Sequence, residues 1–316
     1  MPPTTTRRQS PNAPRVEIRG VSSNGYHAAA GVSASAPLAV LAAFLFGAAL
    51  VVSRFGLRHA APAQGAAVSV SSTMLLLWAL SPLLLDPSGF AWGAAWIFAA
   101  VGLVYPALVT LLTFGATQRM GPTVTNATSS TAPLFAILFA VAFIGESLSA
   151  TRAAGASILV LGVAALSWSP GHAPRQWPLW ALALPLLASA VRGGALTLTK
   201  HGLNLWPEPF AASLIGYTVS AVVIVAAQAT GGERPRALWR AALPWFAAVG
   251  MLNGIAVLTM YYALGKGEVG LVSPLVASSP LFTLLLSLAF LRDERIGWQV
   301  LLGVVLTVAG AGLVVQ

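Results

Sequence analysis

Phe98-Ala99-Ala100-Val101-Gly102 returns as Phe246-Ala247-Ala248-Val249-Gly250, almost half the chain later. Pro133-Leu134-Phe135 with Ala142-Phe143 returns in nearly the same register as Pro280-Leu281-Phe282 with Ala289-Phe290. Working outward, Arg54-Phe55-Gly56-Leu57 faces Lys200-His201-Gly202-Leu203, Glu146 faces Glu294, and Gly155 and Gly162 face Gly303 and Gly310. The offsets differ only slightly, so one unit is written twice along most of the sequence.

Hydrophobic residues make up 57% and charged residues 8% of 316 positions, against about 25% charged residues in soluble proteins. Such a chain belongs in lipid, where helices satisfy their own backbone and about 20 apolar residues suffice to cross. Ten such runs are found: Ala36–Ser53, Ala66–Leu85, Phe90–Phe114, Pro122–Ile144 and Ala153–Trp168, then Pro178–Thr199, Phe210–Ala229, Leu243–Leu264, Val269–Leu291 and Ile296–Val315. Trp92, Trp168, Trp177, Trp245 and Trp298 near their ends fit rings seated at headgroup depth. The expected fold is all-α and integral to the membrane. Five spans per copy start the second copy on the opposite side from the first, giving ten transmembrane helices as two inverted five-helix repeats. That architecture recurs in secondary transporters, with the solute near the midplane between the halves. A duplicated channel or an inert scaffold remains open.

Residues 1–33, rich in Pro, Ser, Thr and Arg, read as a disordered basic tail. The first repeat then occupies 34–169 and the second 170–316. Arg7, Arg8, Arg15 and Arg19 before an apolar run imitate a signal peptide, but Arg54 and Arg58 after it read as the flank of a retained helix. Loop arginines and lysines fall on both sides of the membrane and do not set its orientation. The net charge of +9 is scattered singly between spans. It therefore excludes a nucleic-acid groove and fits anchoring of loops to a lipid bilayer.

Without cysteine there is no disulfide, thiolate or cysteine metal site. The carboxylates Glu17, Asp86, Glu146, Glu208, Glu233, Glu268, Asp293 and Glu294 all fall in the tail or at span ends, which leaves no mid-membrane proton relay of the usual kind. His27, His59, His172 and His201 lie in the tail and loops, and none pairs with an acid along one helix. No catalytic group, metal site or cofactor is expected. Glu146 and Glu294 read as inter-helix ion pairs or backbone caps.

Arg192 is the exception, a cation deep inside a span, where about 2.5 to 3.5 kcal/mol opposes insertion and such groups usually face a pathway. Either its planar fork receives a carboxylate or phosphate, or its long stem snorkels towards the helix end near Lys200 or bonds free backbone carbonyls of a neighbouring broken helix. Pro133 and Pro280 should each break a helix by removing a donor. Asn126, Ser129, Ser130 and Thr131 precede the first, and Ser273, Ser278 and Ser279 precede the second. These segments line a solute site as discontinuous helices, or their hydroxyls recapture local carbonyls. Tyr105 and Asn253 share one register and hence one depth; Tyr217 and Tyr261 are weaker candidates. The candidate solute-binding set is Arg192, Tyr105, Asn126, Ser130, Thr131, Asn253, Ser273, Ser278 and Ser279. The glycines at 155, 162, 303 and 310 read as close helix packing and are compatible with a homodimer that nothing requires.

The sequence also resembles the EamA-type permeases of the drug/metabolite transporter superfamily, over residues 36 to 316. The carriers are Phe46-Gly47-Ala48-Ala49 and Arg192-Gly193-Gly194-Ala195, each leading to a basic residue. Ser130-Thr131-Ala132-Pro133-Leu134-Phe135 and Ser278-Ser279-Pro280-Leu281-Phe282 follow, ahead of acidic turns at Gly145-Glu146 and Asp293-Glu294. The resemblance implies a ten-helix carrier of the bacterial-type inner membrane with cytoplasmic termini, moving small-molecule metabolites or amino acids, commonly outward. An integral-membrane enzyme and a nontransporting sensor or scaffold are the alternatives.

Overall fold

The structure, a computed structural model, describes residues 23–113, 116, 119, 128–129, 131–167, 178–230, 239–291 and 298–315. Among these, helices joined by short turns account for the structure, without strand. In chain order the helices are α1 (Ser23–Leu57), α2 (Pro62–Leu84), α3 (Trp92–Val104), α4 (Ala132–Ile144), α5 (Ala150–Ser167), α6 (Ala183–Leu205), α7 (Pro209–Thr230), α8 (Trp239–Lys266), α9 (Val269–Val276), α10 (Ser279–Leu291) and α11 (Trp298–Val315). The first begins upstream of the expected boundary at residue 34. Six helical stretches are long and apolar enough to cross a membrane: Ala34–Leu57, Pro62–Leu84, Trp92–Thr113, Trp180–Leu205, Pro209–Ala229 and Arg240–Lys266. Ala132–Ile144, Ala150–Gly162, Val269–Thr283 and Val305–Val314 are shorter and also apolar. Large side chains point outward, Trp92 and Trp96 each 71% exposed, as suits a lipid-facing surface and no aqueous one.

The packing of helices is exchanged by the repeat. α1 lies along α8 with α10 beside it, while α6 lies along α3 with α4 beside it. Likewise α2 meets α8 as α7 meets α3, and the pairs α2 with α7 and α5 with α11 join counterpart to counterpart. The motifs that reveal the duplication make these contacts. A β-carbon at Gly202 would come 2.5 Å from the Phe98 ring, and one at Gly56 would come 2.8 Å from the ring of Phe246. Each half therefore seats the aromatic ring of its Phe-Ala-Ala-Val-Gly segment on a glycine of the other. At the far end of that segment, a β-carbon at Gly102 would lie 2.5 Å from the Gly216 carbonyl oxygen, and one at Gly250 would overlap the carbonyl oxygen of Ser69. Between α5 and α11, Gly162 and Gly310 bring the backbones together inside one chain.

Both prolines expected to break helices stand in the first turn of a new one. Pro280 opens α10 after a turn at Ala277 and Ser278, and Pro133 opens α4 behind Thr131. Proline is accommodated there because first-turn amides lack intrahelical acceptors. A further break, which the sequence reading had run through, falls at Tyr105 and Pro106 between α3 and helical residues 107–113. The amide of Ala107 donates to Ser220 Oγ on α7 at 2.9 Å, so an interrupted backbone stays satisfied away from water.

Gly102→Ala and Gly250→Ala should each lower the apparent unfolding temperature in detergent, with a cost of about 1–3 kcal/mol for overpacking. Gly312→Ala, where a β-carbon meets nothing within 4 Å, should leave it unchanged. Equal melting of all three variants would refute the close approach.

Candidate functional site

Two adjoining cavities of about 210 and 230 Å³ lie between the repeats and share Phe46, Leu50, Thr113 and Arg192 in their walls. The first opens among α1, α2, residues 106–113 and α8, and reaches Asn253 and Tyr217. The second is bounded by the starts of α4 and α10 and reaches Tyr105, Ser129, Ser273 and Ser279, with Pro133 and Pro280 in its wall. The interrupted backbone thus faces a cavity rather than lipid.

Arg192 stands near the middle of the span Trp180–Leu205 and is half-buried. Its Nε is buried without a hydrogen-bond partner, and among the described residues it forms no ion pair. Ser129 Oγ, in the same lobe, is also buried and unpartnered. The neighbouring hydroxyls differ. Thr73 Oγ1 donates to Gly250 O at 2.6 Å, Thr110 Oγ1 to Pro106 O at 2.8 Å and Ser53 Oγ to Leu50 O at 2.7 Å. With those donors spent on carbonyls, the guanidinium is, among the described residues, the one charged donor in the cavity wall, with its Nε unpartnered, and a fork for a planar anion.

Of the residues expected from sequence, the structure brings Arg192, Tyr105, Asn253, Ser273 and Ser279 to the cavity, together with both prolines. Thr131 and Ser278 are not in its wall. Their hydroxyls turn back, Thr131 Oγ1 donating to Thr128 O at 2.7 Å and Ser278 Oγ to Leu275 O at 2.6 Å. Asn126 and Ser130 lie outside the described residues. Tyr261 is buried off the cavity, whereas Tyr217 lines the first lobe. Sequence reasoning missed Phe46, although it stands at the position equivalent to Arg192. Among the described residues no group of His and acidic side chains is placed to hold a metal ion.

The family model that matches this sequence is that of the EamA-like transporter family, over residues 34–168 and again over 179–316. The chain belongs to the EamA-like transporter family. As such it is a multi-pass membrane protein of the drug/metabolite transporter type, in a family of transporters and not of enzymes. No curated protein matches. A solved crystal structure, described only as that of a protein, is similar in fold with a TM-score of 0.67 at 18% identity, over 89% of this chain and 96% of that one.

At one end of this EamA-like transporter, polar groups tie the repeats together. Glu146, just after α4, accepts the amides of Val269 and Gly270 at 3.0 and 3.3 Å, satisfying free donors at the positive end of α9. Arg152 of α5 pairs with Glu268, which precedes α9. Within the second repeat, Lys200 Nζ, on α6, donates to Leu264 O and Gly267 O at 2.7 and 2.8 Å, capping the C-terminus of α8 as a cation should. Glu294, the counterpart of Glu146, lies outside the described residues. Among the described carboxylates, Asp86 and Glu208 sit outside the spans and accept the amides of Ser88 and Phe210. Burial raises the Glu208 pKa above the ordinary value, against the Phe210 amide that lowers it.

Glu146→Ala should cost about 1–2 kcal/mol, the usual worth of a helix cap, and lower the apparent unfolding temperature. Glu146→Gln should restore part of the loss, because one oxygen remains to accept. A thermal melt in which Glu146→Ala matches the parent would remove the cap from the account.

Proposed function

We propose that this EamA-like protein is a secondary transporter of small metabolites, amino acids or other anionic or zwitterionic solutes, working by alternating access. The two repeats, 34–169 and 170–316 behind the N-terminal tail, are inverted units of five transmembrane helices each. The protein resides in a bacterial-type cytoplasmic membrane with both termini cytoplasmic. Its partners are the bilayer and its solute, without nucleic acid, and its packing glycines are compatible with a homodimer. No catalytic step and no cofactor enter this reading.

The observation that carries it is Arg192. Holding a permanent charge at mid-span costs about 2.5–3.5 kcal/mol on insertion scales, and among the described residues no acid offsets that cost. The guanidinium faces a cavity bounded by both repeats, where an incoming anion supplies the missing partner. Snorkelling is less apt, because the helix end is occupied by Lys200 on the α8 carbonyls. The contacts of Glu146 with the α9 amides and of Arg152 with Glu268 then act as the closed end, which rocking of the repeats has to part.

Reconstituted in liposomes, the protein should exchange members of a mixed pool of amino acids, carboxylates, phosphates and cationic drugs. Arg192→Gln should reduce that exchange at least tenfold while unfolding at the parent's temperature. Undiminished exchange by a folded Arg192→Gln would make the arginine structural and displace the site.

A further inference from the structure

The duplication assigns Arg192 a counterpart, and it is Phe46. The register is fixed by the glycines that follow. Gly47 packs against Ser279, Phe282 and Thr283 at the start of α10, and Gly193 packs against Phe135 and Ala136 at the start of α4. These are equivalent places in the two repeats, so the preceding residues are equivalent too. Phe46 and Arg192 also line both lobes of the cavity. The centre of the site is therefore unlike on its two repeat-related walls, with a permanent cation on one and a phenyl ring on the other.

Among the described residues no countercharge accompanies them. Glu146 is spent on the α9 amides, Glu268 on Arg152, and Asp86 and Glu208 on the amides of Ser88 and Phe210. Resting on the reading of Arg192 as the solute's anchor, we infer that the solute is a monocarboxylate with an apolar body. Its carboxylate sits on Arg192 and its body lies against Phe46 and Leu50. An α-amino acid places its ammonium one carbon from the carboxylate, beside the guanidinium and away from any acid. It would meet like charge and lose its water with no acid among the described residues to pair with. A dicarboxylate directs its second charge at Phe46 and Leu50, and the negative face of an aromatic ring repels it. Lobes of about 210 and 230 Å³ stand at the small end of ligand pockets and restrict the body to about one ring.

The test is equilibrium binding to the full-length protein in nanodiscs, with radiolabelled 3-phenylpropanoate, acetate, L-phenylalanine and succinate. 3-Phenylpropanoate should bind at least tenfold tighter than each of the other three. Phe46→Ala should weaken 3-phenylpropanoate about tenfold and leave acetate unchanged, and Phe46→Leu should fall between Ala and the parent. L-Phenylalanine or succinate outranking 3-phenylpropanoate, or a folded Phe46→Ala with the parent's ranking, overturns the inference. So does binding of none of the four. Should Phe46→Ala fail to fold, the parent's ranking decides alone. The two readings separate cleanly: if Arg192→Gln abolishes exchange of the mixed pool while the monocarboxylate is not preferred, this inference falls and the transporter reading stands. If Arg192→Gln exchanges normally, both fall.

Discussion

An aromatic ring on a glycine of the opposite repeat, Phe98 on Gly202 and Phe246 on Gly56, is the contact on which the rest of the structure rests. Lipid tails are as apolar as leucine, so hydrophobic burial does little to join helices in a membrane, and close packing must do it. A ring fits only where the facing residue has no side chain. Each such pair locks a helix of one repeat against a helix of the other, which is why α1 lies along α8 and α6 along α3. The cavity is what remains between helices held at that distance.

A second constraint acts on polar groups. Where the backbone is interrupted, around Tyr105 and Pro106, before α4 and at Ala277 and Ser278, the breaks lie in protein or beside the cavity, as the cost of bare amides in lipid demands. Hydroxyls mostly repay carbonyls within a turn or across one helix contact, as Thr197 does with Ala136 O and Gly193 O, both at 3.2 Å. Arg192 is conspicuous against this background because, among the described residues, its buried Nε has no such outlet.

Much of this was legible in the sequence, and the reasons are specific. The recurring Phe-Ala-Ala-Val-Gly and Gly-Leu segments are where the repeats touch, so the residues that betray the duplication also report the interface. Pro133 and Pro280 were legible because a missing donor has few tolerable places. Thr131 and Ser278 were not. Beside a break the helical phase is lost, and Ser279 reaches the cavity while Ser278 turns back to Leu275 O. Lys200 looked like an ordinary helix flank, and its reach to the carbonyls of α8 is a tertiary fact. Phe46 passed as core because an apolar residue in an apolar span carries no signal of its own. The signal lay in its alignment with Arg192.

The equivalence of Phe46 and Arg192 bears on why the two repeats share one chain. Near the centre of a two-fold arrangement a residue meets the neighbourhood of its own copy. Two identical chains of one repeat each would have to present either two guanidiniums or two phenyl rings there. The first choice sets like charges facing each other in a low-dielectric space, and the second leaves nothing to hold an ion. Joining the copies end to end frees each to mutate alone, so a polarised centre becomes available to a scaffold that is otherwise nearly symmetric. In that sense the covalent link is a condition for chemical direction within the site, and the surrounding helices can keep the symmetry that the centre gives up.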